Sequence, residues 1–234
     1  SLVAQLERDG LVDRWPPYAS APAWAAPRGM SAIGKHWAAD GLDVRLSRHV
    51  TSVERSGDVA RVALDDGTAI DAAHVLLTCP LPQTLALAPA LREHLPDDCH
   101  DDERYERALV VLLALDDGYA PPAATASLSG DTVSRVVSES SKLDATTSAL
   151  SLRLHPAASE RLWDAAPDEV LSAVRKDLAG SPWLPADGQV RASQVKRWRY
   201  ATPSHPVPAS FVALPGDGPT VTPSVVGSPA PSAS

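Results

Sequence analysis

The sequence predicts an α+β fold, and three observations predict it. Residues 42–80 alternate apolar and polar side chains at a period of two, the signature of half-buried strands joined by tight turns. Four more strand-like runs lie between Ala108 and Trp198 with few helices among them, so a second, mainly antiparallel sheet is expected rather than continued βαβ winding. Helical spacing is confined to short stretches, chiefly 31–39, 81–95 and 168–179.

Taken in order, Leu2 to Glu7 reads as the end of a helix stopped by Gly10, and Trp15-Pro16-Pro17 then forbids helix. A loop leads to Gly29. Ser31 to Ala39 is a short helix with Ser31 as its expected N-cap, ending near Gly41. Val44 and Leu46, Val50 and Val53, then Val59, Val62 and Leu64 form a β-meander, with turns at Ser56-Gly57-Asp58 and Asp65-Asp66-Gly67. The nearly continuous apolar run Ala72 to Cys79 reads as a strand covered on both faces, ended by Pro80. Leu81 to Leu95 then reads as one helix. Ala108–Leu115, Thr132–Val137, Ala149–Leu154 and Val190–Trp198 are the four later strands, with a helix from Asp168 to Ala179 capped by Gly180. Pro219 to Ser234 is an uncharged Pro, Ser, Ala and Val mixture that cannot offset the entropy of ordering itself, and it is expected to be a disordered tail.

Composition limits the function classes. With 44% apolar and 21% charged residues, the 234-residue chain has the makeup of a folded globular protein. The net charge of -8 and the scattered Lys and Arg, clustered only at Lys196-Arg197-Trp198-Arg199, argue against a nucleic-acid partner. No apolar run approaches the roughly 20 residues of a membrane span, and a cytoplasmic protein is expected. Cys79 and Cys99 lack metal-ligand spacing and are expected to be reduced. The chain begins at Ser1 and its one methionine is Met30, so it is expected to be the interior of a longer polypeptide.

Self-contained catalytic motifs are missing. The sequence has no G-x-S-x-G elbow, no H-E-x-x-H helix and no C-x-x-C pair, and in Ser138-Glu139-Ser140-Ser141-Lys142 the position three before the lysine is Glu139, not serine. His94, Cys99 and His100 lie among four aspartates, but that loop holds nothing to fix converging ligands, so no metal is expected. No G-x-G-x-x-G occurs, and Gly216-Asp217-Gly218 runs into Pro219, which lacks the N–H that a phosphate-cradling turn needs.

Several segments taken together do point to a family. Gly29-Met30-Ser31-Ala32-Ile33-Gly34-Lys35-His36 resembles the GMSAL helix start of renalase-like FAD-dependent oxidoreductases, in the flavin amine-oxidase superfamily. Gly10 to Trp15 resembles the stretch before it. Val44 to Val53 and Asp71 to Gln83 are similar to that family's meander, and Lys196 to Ala201 resembles its HRWRYA segment with Lys in place of His. The resemblance covers residues 5–205 in the family's order.

It implies FAD as cofactor, a small-molecule substrate, and an incomplete chain lacking the glycine-loop βαβ unit. It also implies that the α+β pattern contains an α/β remnant. Residues 1–95 would be a partial FAD-binding domain with the meander, 96–214 a substrate domain with a mainly antiparallel sheet, and 215–234 the tail. In that frame the Val50 backbone pairs with the adenine, and Cys79-Pro80 ends a strand near the dinucleotide. Trp198 and Tyr200 face the flavin from the substrate side, and Lys142 meets an anionic substrate. The competing readings are an ordinary sheet valine, aromatic core packing and a solvated loop lysine. The implied activity is hydride transfer from an amine or a reduced nicotinamide-type substrate to flavin, with reoxidation by oxygen and no acid–base pair from the protein. The alternative is a non-enzymatic binding module or pseudoenzyme that keeps the substrate-domain sheet.

Overall fold

The computed structural model describes residues 1–15, 22–56, 59–95, 105–142, 148–186, 188–204, 212–213 and 220–221. The chain divides into two units, one of residues 1–44 and 107–198, the other of 45–106 and 199–234. It is α+β throughout, with helices set beside antiparallel sheets.

The first unit is built on a five-stranded sheet. Its strands are β6 (Tyr105–Leu115), β7 (Thr125–Ser127), β8 (Val133–Ser138), β9 (Ala149–Leu154) and β10 (Val190–Pro203), in the order β10-β6-β9-β8-β7. The pairings β6–β9, β9–β8 and β8–β7 are antiparallel. Leu109, Val111, Leu113 and Leu115 of β6 alternate with less buried residues, so one face of the sheet enters the core. There Leu150, Leu152 and Val136 meet Val170 and Val174 of the helix that covers them, and Leu178 at its C-cap. That helix, α5 (Pro167–Asp177), is locally well specified. Proline occupies its first position and Asp168 and Glu169 its first turn, Arg175 and Lys176 lie in its last turn, and Glu169 accepts from the Ala166 N–H at 3.1 Å.

The same unit holds a smaller cluster near the N-terminus. α1 (Leu2–Arg8), the hairpin of β1 (Asp13–Trp15) and β2 (Ala23–Ala25), and α2 (Ser31–Ala39) surround Leu6, Leu11, Val12, Ala26 and Ile33. A short helix, α4 (Pro156–Arg161), follows β9 and buries Ala158 and Ser159.

The second unit holds the meander. β3 (Val50–Ser56), β4 (Val59–Leu64) and β5 (Ala69–Ala72) form an antiparallel sheet in that order, with a register shift between Val50 and Ser52. α3 (Leu81–Leu87) packs Leu81 and Leu85 against Val53 of β3. β11 (Val212–Ala213) and β12 (Thr220–Val221) pair as a short ribbon. The tail read over 219–234 lies outside the described residues except for Thr220–Val221.

Four local expectations are corrected. Val44 and Leu46 are not in a strand: Ser47 takes a positive φ of 56°, which breaks the extended run, and both side chains are exposed. Residues 73–79 form no continuous strand, only a single bridge at Leu77, and Leu76 is exposed. Met30, not Ser31, is the N-cap of α2, and no side chain caps that helix. The helix expected over 81–95 breaks after Leu87 into a 3₁₀ segment (Pro89–His94), because Pro89 cannot donate the next helical hydrogen bond.

Candidate functional site

The second unit brings together three of the residues singled out in the sequence. Val50 opens β3, which is an edge of the three-stranded sheet among the described residues. Its backbone pairs with Leu64 on one side, and its half-buried side chain packs on the cluster that includes Leu81 and Leu85. Cys79 and Pro80 form the approach to α3. The Thr84 hydroxyl donates to the Cys79 carbonyl at 3.0 Å, the Cys79 sulfur lies 3.2 Å from the same hydroxyl, and Pro80 is the helix N-cap.

Tyr200 joins this group through a residue the sequence did not single out. Its ring meets Tyr105 edge-on, with centroids 5.4 Å apart and planes at 72°. The Tyr105 hydroxyl in turn accepts from the Leu81 N–H at 3.4 Å, one residue beyond Pro80. Tyr105 thus connects the segment expected near the dinucleotide to an aromatic expected near substrate. A lone tyrosine after an acidic stretch has no periodic signal, so only tertiary placement reveals it.

Lys142 and Trp198 belong to the first unit. Lys142 is held rather than freely solvated: its Nζ lies 2.6 Å from the Glu139 carboxylate and 5.6 Å from the centre of the Trp15 ring, and its side chain is 25% exposed. Ser138, buried, and Ser140 share a hydroxyl contact at 3.0 Å in the same turn, and the Ser141 hydroxyl donates to the Ser138 carbonyl. Trp198 does not pack into the core, since it is 59% exposed on β10. Its neighbour Arg197 is anchored, donating to the carbonyls of Trp163 at 2.9 Å and Ala165 at 2.6 Å. Arg107, which pairs with Glu160 at 3.0 Å, lies over the Trp163 ring. Among the described residues no group of three His, Cys, Asp or Glu converges; Cys99 and His100 lie outside them.

A flavin dinucleotide makes two demands that this geometry can be tested against. An adenine contact needs a strand edge, and β3, beginning at Val50, lies at the edge of its sheet in the strand order. A diphosphate needs glycines that let backbone N–H groups approach it at a helix start. Of the described glycines with positive φ, Gly10, Gly41 and Gly180 follow helices, Gly67 and Gly188 lie in turns, and Gly29 stands singly two residues before α2. Among the described glycines, only at Gly130 would an added Cβ meet a neighbour within 4 Å, and that neighbour is the Asp177 carboxylate, which repels phosphate. Among the described residues no run of glycines forms such a cradle at a helix start.

A family model for flavin containing amine oxidoreductases matches residues 18–214. The chain belongs to that family. Its cofactor is FAD, and the match runs through the meander, α3, the five-stranded sheet and β10.

Solved structures show the same fold. The chain is similar to a protein described as a protoporphyrinogen oxidase from Exiguobacterium sp. 255-15, with TM-score 0.61 and 17% identity over 80% of this chain and 42% of that one. It is also similar to a double mutant of putrescine oxidase, with TM-score 0.54 and 18% identity over 71% and 38%. An oxidoreductase from Methanosarcina mazei gives TM-score 0.55 and 14% identity over 83% and 48%. The chain thus spans less than half the length of each of these structures. Among curated proteins, none matches it in sequence. Among the described residues no helix is long and apolar enough to cross a membrane.

Proposed function

We propose that these residues supply the meander and the substrate-side sheet of an FAD-dependent oxidoreductase of the renalase-like branch, one that takes a hydride from an amine or a reduced nicotinamide-type small molecule. The observation that carries this reading is the family match over residues 18–214, which spans both units. FAD, when bound, supplies the redox chemistry, and the protein supplies binding, orientation and exclusion of water. The Val50 strand edge serves the adenine side, with the diphosphate cradle outside the described residues. Tyr105 and Tyr200 supply a rigid aromatic pair beside the start of α3. Trp198, exposed on β10, gives an aromatic surface against a substrate or the flavin.

In this role Lys142 is a conditional anion partner. Its charge is already matched by Glu139, so an anionic substrate must compete with that carboxylate.

The test is the visible spectrum after growth with excess FAD. The chain by itself is expected to purify colourless, while a polypeptide carrying these residues behind a glycine-loop βαβ unit is expected to purify yellow and bleach with an amine or a dihydronicotinamide under anaerobic conditions. A flavin spectrum from the chain by itself would refute the placement of the cradle. A colourless longer polypeptide would refute the cofactor assignment.

A further inference from the structure

A concavity in the first unit is lined by none of the residues given a role above. It is a cleft of about 400 Å³ lined by Leu11, Arg28, Ser31, Ala32, Lys35 and His36. Clefts of this size hold small organic ligands rather than single waters.

Its lining is cationic on a chain whose net charge is -8. Arg28 and Lys35 have no ion-pair partner among the described residues, and no carboxylate lines the cleft. Asp9, outside the lining, lies 3.7 Å from the Nε2 of His36. Ser31 and Lys35, one helical turn apart, share the face of α2 that lines the cleft. The start of α2 adds to this field: it has no side-chain cap and no acidic residue in its first turn, so its partial positive charge is uncompensated.

We infer that this cleft binds the phosphate group of a small molecule, with Arg28 and Lys35 as charge partners, Ser31 as a hydroxyl donor, and Leu11 and Ala32 against an apolar part of the ligand. Two full cations and a helix start match a doubly charged group, whereas a single carboxylate would leave positive charge unmatched.

Calorimetric titration of the purified chain with inorganic phosphate and with pyrophosphate tests this. Saturable binding is expected, weakened at least about tenfold by R28S and by K35S, a change equivalent to about 1.4 kcal/mol each. The control R61S removes an exposed charge from β4, where Arg61 faces Asp71, and is expected to bind as the parent does. Circular dichroism establishes that each variant is folded. Should a serine variant fail that check, K35Q and the shift of the His36 ring protons on adding pyrophosphate give the same readout. Absence of saturable binding at about 10 mM phosphate or pyrophosphate, unaltered binding in R28S and K35S, or equal weakening in R61S would each overturn the inference.

Discussion

Asp177 shows how one side chain can organise a turn. It ends α5, and its two carboxylate oxygens accept from three successive backbone N–H groups, those of Asp131, Thr132 and Val133, at 3.0, 3.2 and 2.8 Å. That clamp fixes the start of β8 against the helix. Losing it leaves three donors without their anion, so D177A is expected to lower unfolding free energy by about 3 kcal/mol, measured by urea denaturation. D177N should fall between, because one carbonyl oxygen remains and an amide now faces donors. Gly130 is tied to the same clamp: a Cβ there would lie 2.4 Å from an Asp177 oxygen, so G130A is expected to cost about 1–3 kcal/mol.

Tyr119 gives the residue scale a pH signature. It is buried, its hydroxyl donates to the Trp183 carbonyl at 3.3 Å, and burial raises the phenol above its ordinary value of 10.0. The folded protein therefore keeps a proton that the unfolded chain releases first. This contribution is intact below about pH 10 and is lost as pH climbs from there through the raised value. Y119F should remove that alkaline loss while costing about 1 kcal/mol at neutral pH through the missing hydrogen bond. Thermal melts between neutral and strongly alkaline pH would measure both.

Between residue and unit, the turn joining β4 to β5 has the opposite pH sign. The Thr68 hydroxyl and then its N–H hold the Asp66 carboxyl below the usual carboxylate range, with Arg48 adding attraction at 2.8 Å. The stability it contributes is present above the unfolded carboxylate pKa of about 4 and fades as pH falls through the lowered value. D66N should flatten the acid side of the stability profile by lowering the neutral value towards the acid one, read from urea melts at neutral and acid pH. Under α5, a cavity of about 60 Å³ is lined by Leu113, Leu171, Val174, Leu178 and Leu184, among others. One added methylene in V174I is expected to fill part of it and stabilise by up to about 0.8 kcal/mol, seen as a raised melting temperature.

The elements that announced themselves in the sequence are those whose burial alternates along one strand. β4, β6 and β9 each bury one face, so a period of two survives in their composition. α5 was legible because its caps, charges and apolar stripe agree. The three-residue strands β1, β2 and β7 are too short for a period to register. Val44 and Leu46 carried the right alternation, but one positive φ at Ser47 interrupted it. Apolar composition at 73–79 identified residues suited to burial on two faces without specifying the strands that would flank them.

At the scale of the whole molecule, the site was legible only through segments resembling a family. Val50, Cys79, Pro80 and Tyr200 fall in one unit, while Lys142 and Trp198 fall in the other. Backbone contacts and exposed aromatics have no spacing rule, and Tyr105 emerged only from its meeting with Tyr200 and Leu81. Within the first unit, amide hydrogen exchange is expected to be slowest in β6, β9 and β8, which have strands on both sides, and faster in β10 and β7 at the edges of the sheet. Equal protection across the five strands would contradict that ranking.

The chain leaves its first unit at residue 44 and re-enters it at 107. During synthesis, residues 1–44 therefore emerge on the order of seconds before their partners do, at typical elongation rates. In that interval Leu6, Leu11, Val12 and Ile33 can gather as a cluster of their own, and Trp15 waits for the lysine that will sit against it. A nascent chain paused between residues 44 and 107 thus presents the apolar side chains of residues 1–44 to chaperones, and that segment should become resistant to protease only after the five-stranded sheet has been made.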